Sequence, residues 1–369
     1  MKSPDLSKKG KLFVAITRSC SPTYLEYAYE AASSLNASIL PLFRKVLIIL
    51  GLVFLSGCAT TARQTEAILK APPNLPAAHR LENVEFLAQT ENYCGPATLT
   101  MALRHSGKTA HVDEIAAQVY TPGKKGTLQQ DLLGSARRQG MVAVQIQGIP
   151  SLLRELAAGN PVIVFMNLGL SWYPIYHYAL VTGYNLTEPS VWMHSGKSKD
   201  KEWSMRKFER SWELGNYWGL VVLPPSRLSA SGSELEHSAA AAGLEAVGKN
   251  SEAETAYATV LQQWPDSFGA LVGMGNLTYA RGEARRAEQF LSRVVKAHPE
   301  RSAGWHNLAV AQSAIGLKDK ARASALRAYE LANPAEKNNY RESLKEWLPS
   351  TGINKDFLGT TLSPAQSAQ

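Results

Sequence analysis

The chain has 369 residues, 45% hydrophobic and 19% charged, with 27 glycines and 19 prolines. That is long enough for two domains and too mixed for collagen or disorder. The net charge of +8 falls to a surplus of four outside residues 1–57, which hold seven basic and three acidic side chains, so nucleic acid is not the expected partner. The three cysteines, Cys20, Cys58 and Cys94, stand in such different contexts that a disulfide framework is excluded.

Arg44-Lys45 precede the apolar run Val46 to Leu55, and Ser56-Gly57-Cys58-Ala59 follow. A basic region, a short apolar stretch and small residues make a secretory signal over 1–57, since the run is about half of what a spanning helix needs. Leu55-Ser56-Gly57-Cys58 resembles the bacterial lipoprotein lipobox. The resemblance implies acylation of Cys58, which becomes the first mature residue, and Ala59 after it resembles the outer-membrane sorting pattern, facing the periplasm. Residues 1–40 have no place in such a signal, and no Met occurs between Met1 and Met101, so a start near Leu40 or Leu42 is expected. Cys20 then has no mature role.

Residues 58–80, with Ala71-Pro72-Pro73-Asn74-Leu75-Pro76, contain little to bury and read as a flexible tether. From Val84 the composition turns globular. Leu99, Ala102 and Leu103 share a face, Pro96 suits a first turn and Gly107 a stop, which predicts a helix over 95–106. Helical patterns follow over 112–119 and 127–139. The period then becomes that of strands, over 142–147, 161–168, 177–185, 191–195 and 217–223. Helices followed by a mostly antiparallel sheet is an α+β order, and residues 81–226 form that domain.

Over 227–350 the strands disappear and a 34-residue period emerges. Ala253, Ala287 and Ala321 keep the step, as do Tyr257, Leu291 and Ala325, and Val260, Val294 and Ala328. Small residues where two helices touch, with Pro265 and Pro299 at the turns, resemble the tetratricopeptide repeat. Three units fit between Glu234 and Asn333, with Glu336 to Trp347 as a cap helix and 351–369 as a disordered tail. Acidic and basic residues nearly balance here, so the resemblance implies a protein partner rather than a polyanion.

Without residues 1–57 and with Cys58 acylated, Cys94 is the one free thiol. It enters the first helix, where free N–H groups and the dipole lower a thiol's pKa. A thiolate nucleophile needs a base. His79 lies in the tether, His105 and His111 flank the first helix's end, and His237, His298 and His306 lie in the repeats, which leaves His177 and His194 on predicted strands. Asn92-Tyr93-Cys94-Gly95-Pro96-Ala97, with Gln89 before it and His177-Tyr178-Ala179-Leu180-Val181-Thr182-Gly183-Tyr184 after it, resembles the papain-like cysteine peptidases that process double-glycine bacteriocin leaders. The resemblance covers about Leu81 to Pro225. It implies that Cys94 attacks a peptide carbonyl, that His177 is the base, and that Gln89 and the Cys94 N–H hold the oxyanion. Gln89 stands five residues before the cysteine, where six is usual in the family. The whole chain thus reads as an α+β papain-like peptidase domain followed by an all-α tetratricopeptide-repeat solenoid.

The sequence departs from that family where relatives carry an Asp after the histidine strand: here Val191-Trp192-Met193-His194-Ser195-Gly196 has no carboxylate. With a turn centred on Leu186-Thr187, His194 is the diagonal neighbour of His177 and the expected orienter of its ring. A one-residue slip presents Ser195 instead, and Asn185 is a further candidate. Lys197, Lys199, Lys201, Arg206, Lys207 and Arg210, diluted by Asp200, Glu202 and Glu209, read as a solvated face. Trp172-Tyr173-Pro174 and Tyr176 either line a cleft or form a packed aromatic cluster. No Cys-x-x-Cys, His-Glu-x-x-His or glycine-rich phosphate loop occurs, so neither metal nor cofactor is expected.

Overall fold

The computed structural model describes residues 62–89 and 92–347. The signal region 1–57, Cys20, the candidate acylation site Cys58 and the tail 351–369 lie outside the described residues. Among the described residues no helix is long and apolar enough to cross a membrane.

The expected tether is corrected from Ala62 onward. Residues Arg63–Lys70 form helix α1, which buries Thr65 and Ile68, and Ala78–Arg80 form strand β1. A helix this short is marginal alone. It is held by the buried carboxylate of Glu209, which accepts from the N–H groups of Gln64 (2.8 Å) and Thr65 (2.7 Å) at the helix N-terminus. That partner is 144 residues away from Thr65.

Helices α2 (Cys94–His105) and α3 (Val112–Val119) follow, then a small ribbon of β2 (Tyr120–Thr121) and β3 (Gly126–Thr127), and helix α4 (Gln129–Arg138). Strand β4 (Val142–Gln147), helix α5 (Ile149–Ala157), and strands β5 (Val162–Asn167), β6 (Tyr176–Asn185), β7 (Ser190–Ser195) and β8 (Ser198–Ser204) come next. Helix α6 (Met205–Glu213) and strand β9 (Trp218–Leu223) complete the domain. The strands form one antiparallel sheet in the order β4-β9-β5-β6-β7-β8, with β1 pairing the far end of β6.

Alternate residues of the central strands feed two cores. Ile163, Tyr178, Leu180, Leu220 and Val222 pack with Leu99, Leu103, Ile115 and Leu132 from α2, α3 and α4. Val162, Val164, Ala179, Val181 and Val221 pack with Leu152, Leu156, Phe208 and Trp212 from α5 and α6. Burial on both faces is why these strands read as continuous apolar runs.

Beyond them lie α7 (Glu234–Glu245), α8 (Asn250–Gln263), α9 (Phe268–Ala280), α10 (Ala284–Ala297), α11 (Ser302–Ala314), α12 (Lys318–Leu331) and α13 (Pro334–Trp347). The three alanines, 253, 287 and 321, are fully buried, as are their in-phase partners Tyr257, Leu291 and Ala325. Close packing extends to Gly273, where a Cβ would sit 2.2 Å from the Tyr257 ring. Composition changes near residue 227, yet the apolar core does not stop there, because Ala240, Leu244, Tyr257 and Met274 join the α5–α6 core of the sheet. The joint is also polar: Glu155 of α5, fully buried, accepts from Asn160 Nδ2 (2.8 Å), the Ser231 N–H (2.7 Å), and the hydroxyls of Ser229 and Ser231.

Candidate active site

The first turn of α2 lies against the β2–β3 ribbon. A Cβ on Gly95 would come within 2.6 Å of Thr127, so only glycine lets this turn approach so closely. Asn92, at φ 66°, makes the left-handed bend that delivers the chain into the helix, a conformation Asn tolerates better than most residues. Cys94 therefore stands at the helix start, where its sulfur receives the backbone N–H groups of Cys94, Gly95 and Tyr178. Tyr178 is the neighbour of His177 on β6, so the strand that carries the imidazole also touches the thiol. Cys94 and His177 line the same cleft of about 760 Å³, together with Gln89, Thr127, Phe165 and Tyr176.

Burial dominates the electrostatics. It pushes the Cys94 thiol up, against those three N–H groups. The expectation that the helix start lowers this pKa is thus corrected: the N–H groups there do favour the thiolate, and desolvation outweighs them. Burial, assisted by the Lys201 ammonium, pushes the His177 imidazole down to about 4. Both groups are neutral near pH 7 as a result.

Ser195 Oγ lies 3.0 Å from His177 Nε2. His194, expected to orient that ring, does not touch it. Its Nε2 faces the Val84 carbonyl at 3.2 Å and its Nδ1 accepts from the Asp200 N–H at 3.2 Å, with Phe86 packed edge-on. The reason is register. The hairpin closes with Asn185 opposite Ser190, and an irregularity between Val181 and Gly183 shifts the pairing so that Leu180 faces His194. The two effects sum to a slip of one residue from a turn centred on 186–187, which brings Ser195 to the diagonal of His177. Asn185 is displaced too: its Oδ1 accepts from the N–H groups of Thr187 (2.8 Å) and Glu188 (3.1 Å) in the hairpin turn.

Gln89 is fixed twice to Gly196 of the β7–β8 turn. Its N–H donates to the Gly196 carbonyl, and its Oε1 accepts from the Gly196 N–H, each at 3.0 Å. Its Nε2 is buried and has no partner among the described residues. A buried donor without an acceptor costs about 1–3 kcal/mol, so it is retained where something else supplies the acceptor. Thr127 Oγ1, in the same cleft, is likewise buried and unpartnered. No signal in the sequence marked Thr127, since the ribbon that carries it is two residues per strand.

One wall of the cleft is apolar and stiff. Phe165 stacks on Tyr176 at 4.9 Å between centroids. Beyond it, Asn167 braces the β5–β6 loop: its Oδ1 accepts from the N–H groups of Gly169 (2.8 Å) and Ile175 (2.9 Å), and its Nδ2 donates to the Leu170 carbonyl (3.1 Å). That frame displays Leu170, Trp172, Tyr173 and Ile175 to solvent, Trp172 at 78% exposure. Of the two readings of this aromatic stretch, Tyr176 lines the cleft, while Trp172 and Tyr173 project from the loop.

Residues 81–218 match the Peptidase_C39 like family, and residues 244–311 match the tetratricopeptide repeat. No curated protein matches the chain. Among solved structures, a C39-like peptidase from Bacillus anthracis is similar at 20% identity, covering 41% of this chain and 98% of that one with a TM-score of 0.35. The peptidase domain of Streptococcus ComA, a bifunctional ABC transporter, is similar at 21% identity, covering 38% and 99% with a TM-score of 0.34. MamA from Desulfovibrio magneticus is similar at 21% identity, covering 31% and 64% with a TM-score of 0.28.

Proposed function

We propose that this chain, a C39-like peptidase domain joined to tetratricopeptide repeats, is a lipid-anchored cysteine peptidase of the bacterial cell envelope. The anchor is the acylated Cys58, on the outer membrane and facing the periplasm, and the repeats recruit the protein substrate or a partner. The observation that carries the reading is the cleft itself. It holds the Cys94 thiol, an imidazole bonded through one nitrogen, and a buried amide donor without a partner among the described residues.

The chemistry follows from these positions. Because Ser195 occupies the Nε2 side of His177, Nδ1 is the nitrogen left to take the thiol proton. Two neutral groups do not form an ion pair in advance, so the proton leaves sulfur as sulfur attacks the peptide carbonyl, with His177 as general base. Gln89 Nε2 and the Cys94 N–H donate to the developing oxyanion. The imidazolium returns its proton to the leaving amine, and the resulting thioester is hydrolysed by water activated at the same nitrogen. The Ser195 hydroxyl accepts the Nε2 proton and holds the tautomer, but it stabilises the imidazolium less than a carboxylate does, which makes this a slow enzyme.

The same neutral partner favours the second reading, a non-catalytic module in which the cleft binds peptides and the repeats scaffold a complex. A thiol amidase or acyltransferase acting on cell-wall peptides shares the acyl-enzyme half of the first. The deciding experiment is active-site alkylation, in which the thiol displaces chloride and forms a thioether. A peptide chloromethyl ketone should label Cys94 in the full chain, seen by intact mass, and His177→Ala should slow the labelling at least a hundredfold. Labelling no faster than that of free cysteine, and unaffected by His177→Ala, establishes the binding module.

A further inference from the structure

Three lysines, Lys124, Lys125 and Lys197, line the cleft that holds Cys94. Two come from the turn between β2 and β3, beside Gly95's partner Thr127. The third follows Gly196, the residue that fixes Gln89. They thus flank the thiol from two separate elements. No Asp or Glu lines the cleft among the described residues, and none of the three ammonium groups has an ion-pair partner there. A fourth lysine, Lys201, is close enough to act on the His177 imidazole.

The surplus is local. Residues 81–226 carry 13 Lys and Arg against 12 Asp and Glu, and some charges outside the cleft pair, as Asp200 does with Arg80 (3.0 Å) and Arg104 with Glu85 (2.6 Å). Like charges gathered in a concave surface without counter-charges repel one another. They also focus a positive potential into the space where a ligand lies. The lining also includes Phe165, Tyr176 and Leu128, which offer apolar area to side chains.

We propose that the cleft selects peptides bearing carboxylate side chains on either side of the bond presented to Cys94. The proposal deepens the peptidase reading and rests on it for the scissile bond, but the selection itself is a property of binding. Each exposed pair contributes little, so three together give a preference of about tenfold for an acidic peptide over its amide isostere. The preference is electrostatic and shrinks as the screening length falls from about 10 Å at 0.1 M salt to about 3 Å at 1 M.

The test uses full-length Cys94→Ala protein in detergent and fluorescein-labelled peptides on one alanine-leucine scaffold, with Glu, Gln or Lys at the same flanking positions. Anisotropy should show the Glu peptide bound about tenfold tighter than the Gln peptide at low salt, with the advantage lost at 1 M. Replacing the three lysines by Gln should abolish the preference, and K124E/K125E/K197E should transfer it to the Lys peptide. Equal binding of Glu and Gln peptides, or a charge-reversed variant that still prefers Glu, overturns the proposal. So does displacement of the Glu peptide by anionic phosphatidylglycerol vesicles but not by excess unlabelled Glu peptide, which would assign the lysines to a membrane surface. If Cys94→Ala binds with the stated preference while the unsubstituted protein cleaves none of the three peptides, the peptidase reading fails and the selectivity stands.

Discussion

The cleft and the joint between sheet and repeats both bury polar groups, and they treat them in opposite ways. At the joint, Glu155 accepts four hydrogen bonds from Asn160, Ser229 and Ser231, and across the same core Glu209 accepts from Gln64, Thr65 and Tyr217. In the cleft, among the described residues, Gln89 Nε2 and Thr127 Oγ1 are buried with no partner, and three lysines have no counter-charge. Satisfied burial fixes a structure; unsatisfied burial is a cost that a ligand can relieve. Missing partners alone do not mark a functional site either, since Thr65 Oγ1 and Arg137 Nε, outside the cleft, are also buried and unpartnered among the described residues; what sets Gln89 Nε2 and Thr127 Oγ1 apart is that they line the cleft that holds Cys94 and His177.

The comparison breaks first at the joint. Glu155→Ala leaves four donors without their acceptor, and each buried donor left unsatisfied costs about 1–3 kcal/mol. The melting temperature should fall by many degrees, with steady-state rates per folded molecule unchanged. A variant that melts normally would mean that the four bonds contribute no net stability. Gln89→Ala should do the reverse. It removes an oxyanion donor, worth about 10²–10³ in kcat, and gives up one hydrogen bond, from the Gly196 N–H to Oε1, so thermal stability should fall by only about 0.5–1.5 kcal/mol. A loss of stability as large as that of Glu155→Ala would place Gln89 among the structural polar groups.

Ser195 sharpens the comparison from inside the cleft. Ser195→Asp places a carboxylate at the site from which Oγ reaches His177 Nε2 at 3.0 Å. A carboxylate stabilises the imidazolium that forms during attack, so kcat should rise, by about tenfold if the geometry is kept, while Ser195→Ala should lower it by a similar factor. Identical rates in all three proteins would show that the ring is oriented by something other than residue 195.

How much of this was legible depends on the distance between partners. The helix at Cys94 and the strand at His177 were readable because their signals are local: Gly95-Pro96 opens one, and an uninterrupted apolar run makes the other. The repeats were readable because a period of 34 survives any uncertainty about single residues. Helix α1 was not, since two buried side chains do not announce a helix and the carboxylate that holds it comes from α6. Helix α6 was hidden in turn: Met205, Phe208 and Trp212 carry its apolar face, but Lys207, Glu209 and Arg210 between them gave the stretch the look of a solvated surface, although Glu209 is fully buried. The choice of His194 over Ser195 failed by one residue, because an irregularity at Thr182 is a property of strand pairing that neither strand's own sequence shows.

The smallest expected effect tests why the imidazole is so weak a base. Burial is the larger cause of the shift to about 4, and the Lys201 ammonium the smaller. Protonated His177 cannot accept the thiol proton, so kcat/KM should be flat through neutral pH and fall on an acid limb near 4 rather than near the usual 6.5. Lys201→Met removes a charge that disfavours imidazolium, so its limb should move upward. Because burial persists in the variant, the shift should be a fraction of a unit and the limb should stay well below 6.5. A pH-rate profile of the two proteins decides: a limb that jumps to the free-imidazole value would make the lysine the main cause, and an unmoved limb would leave desolvation as the whole of it.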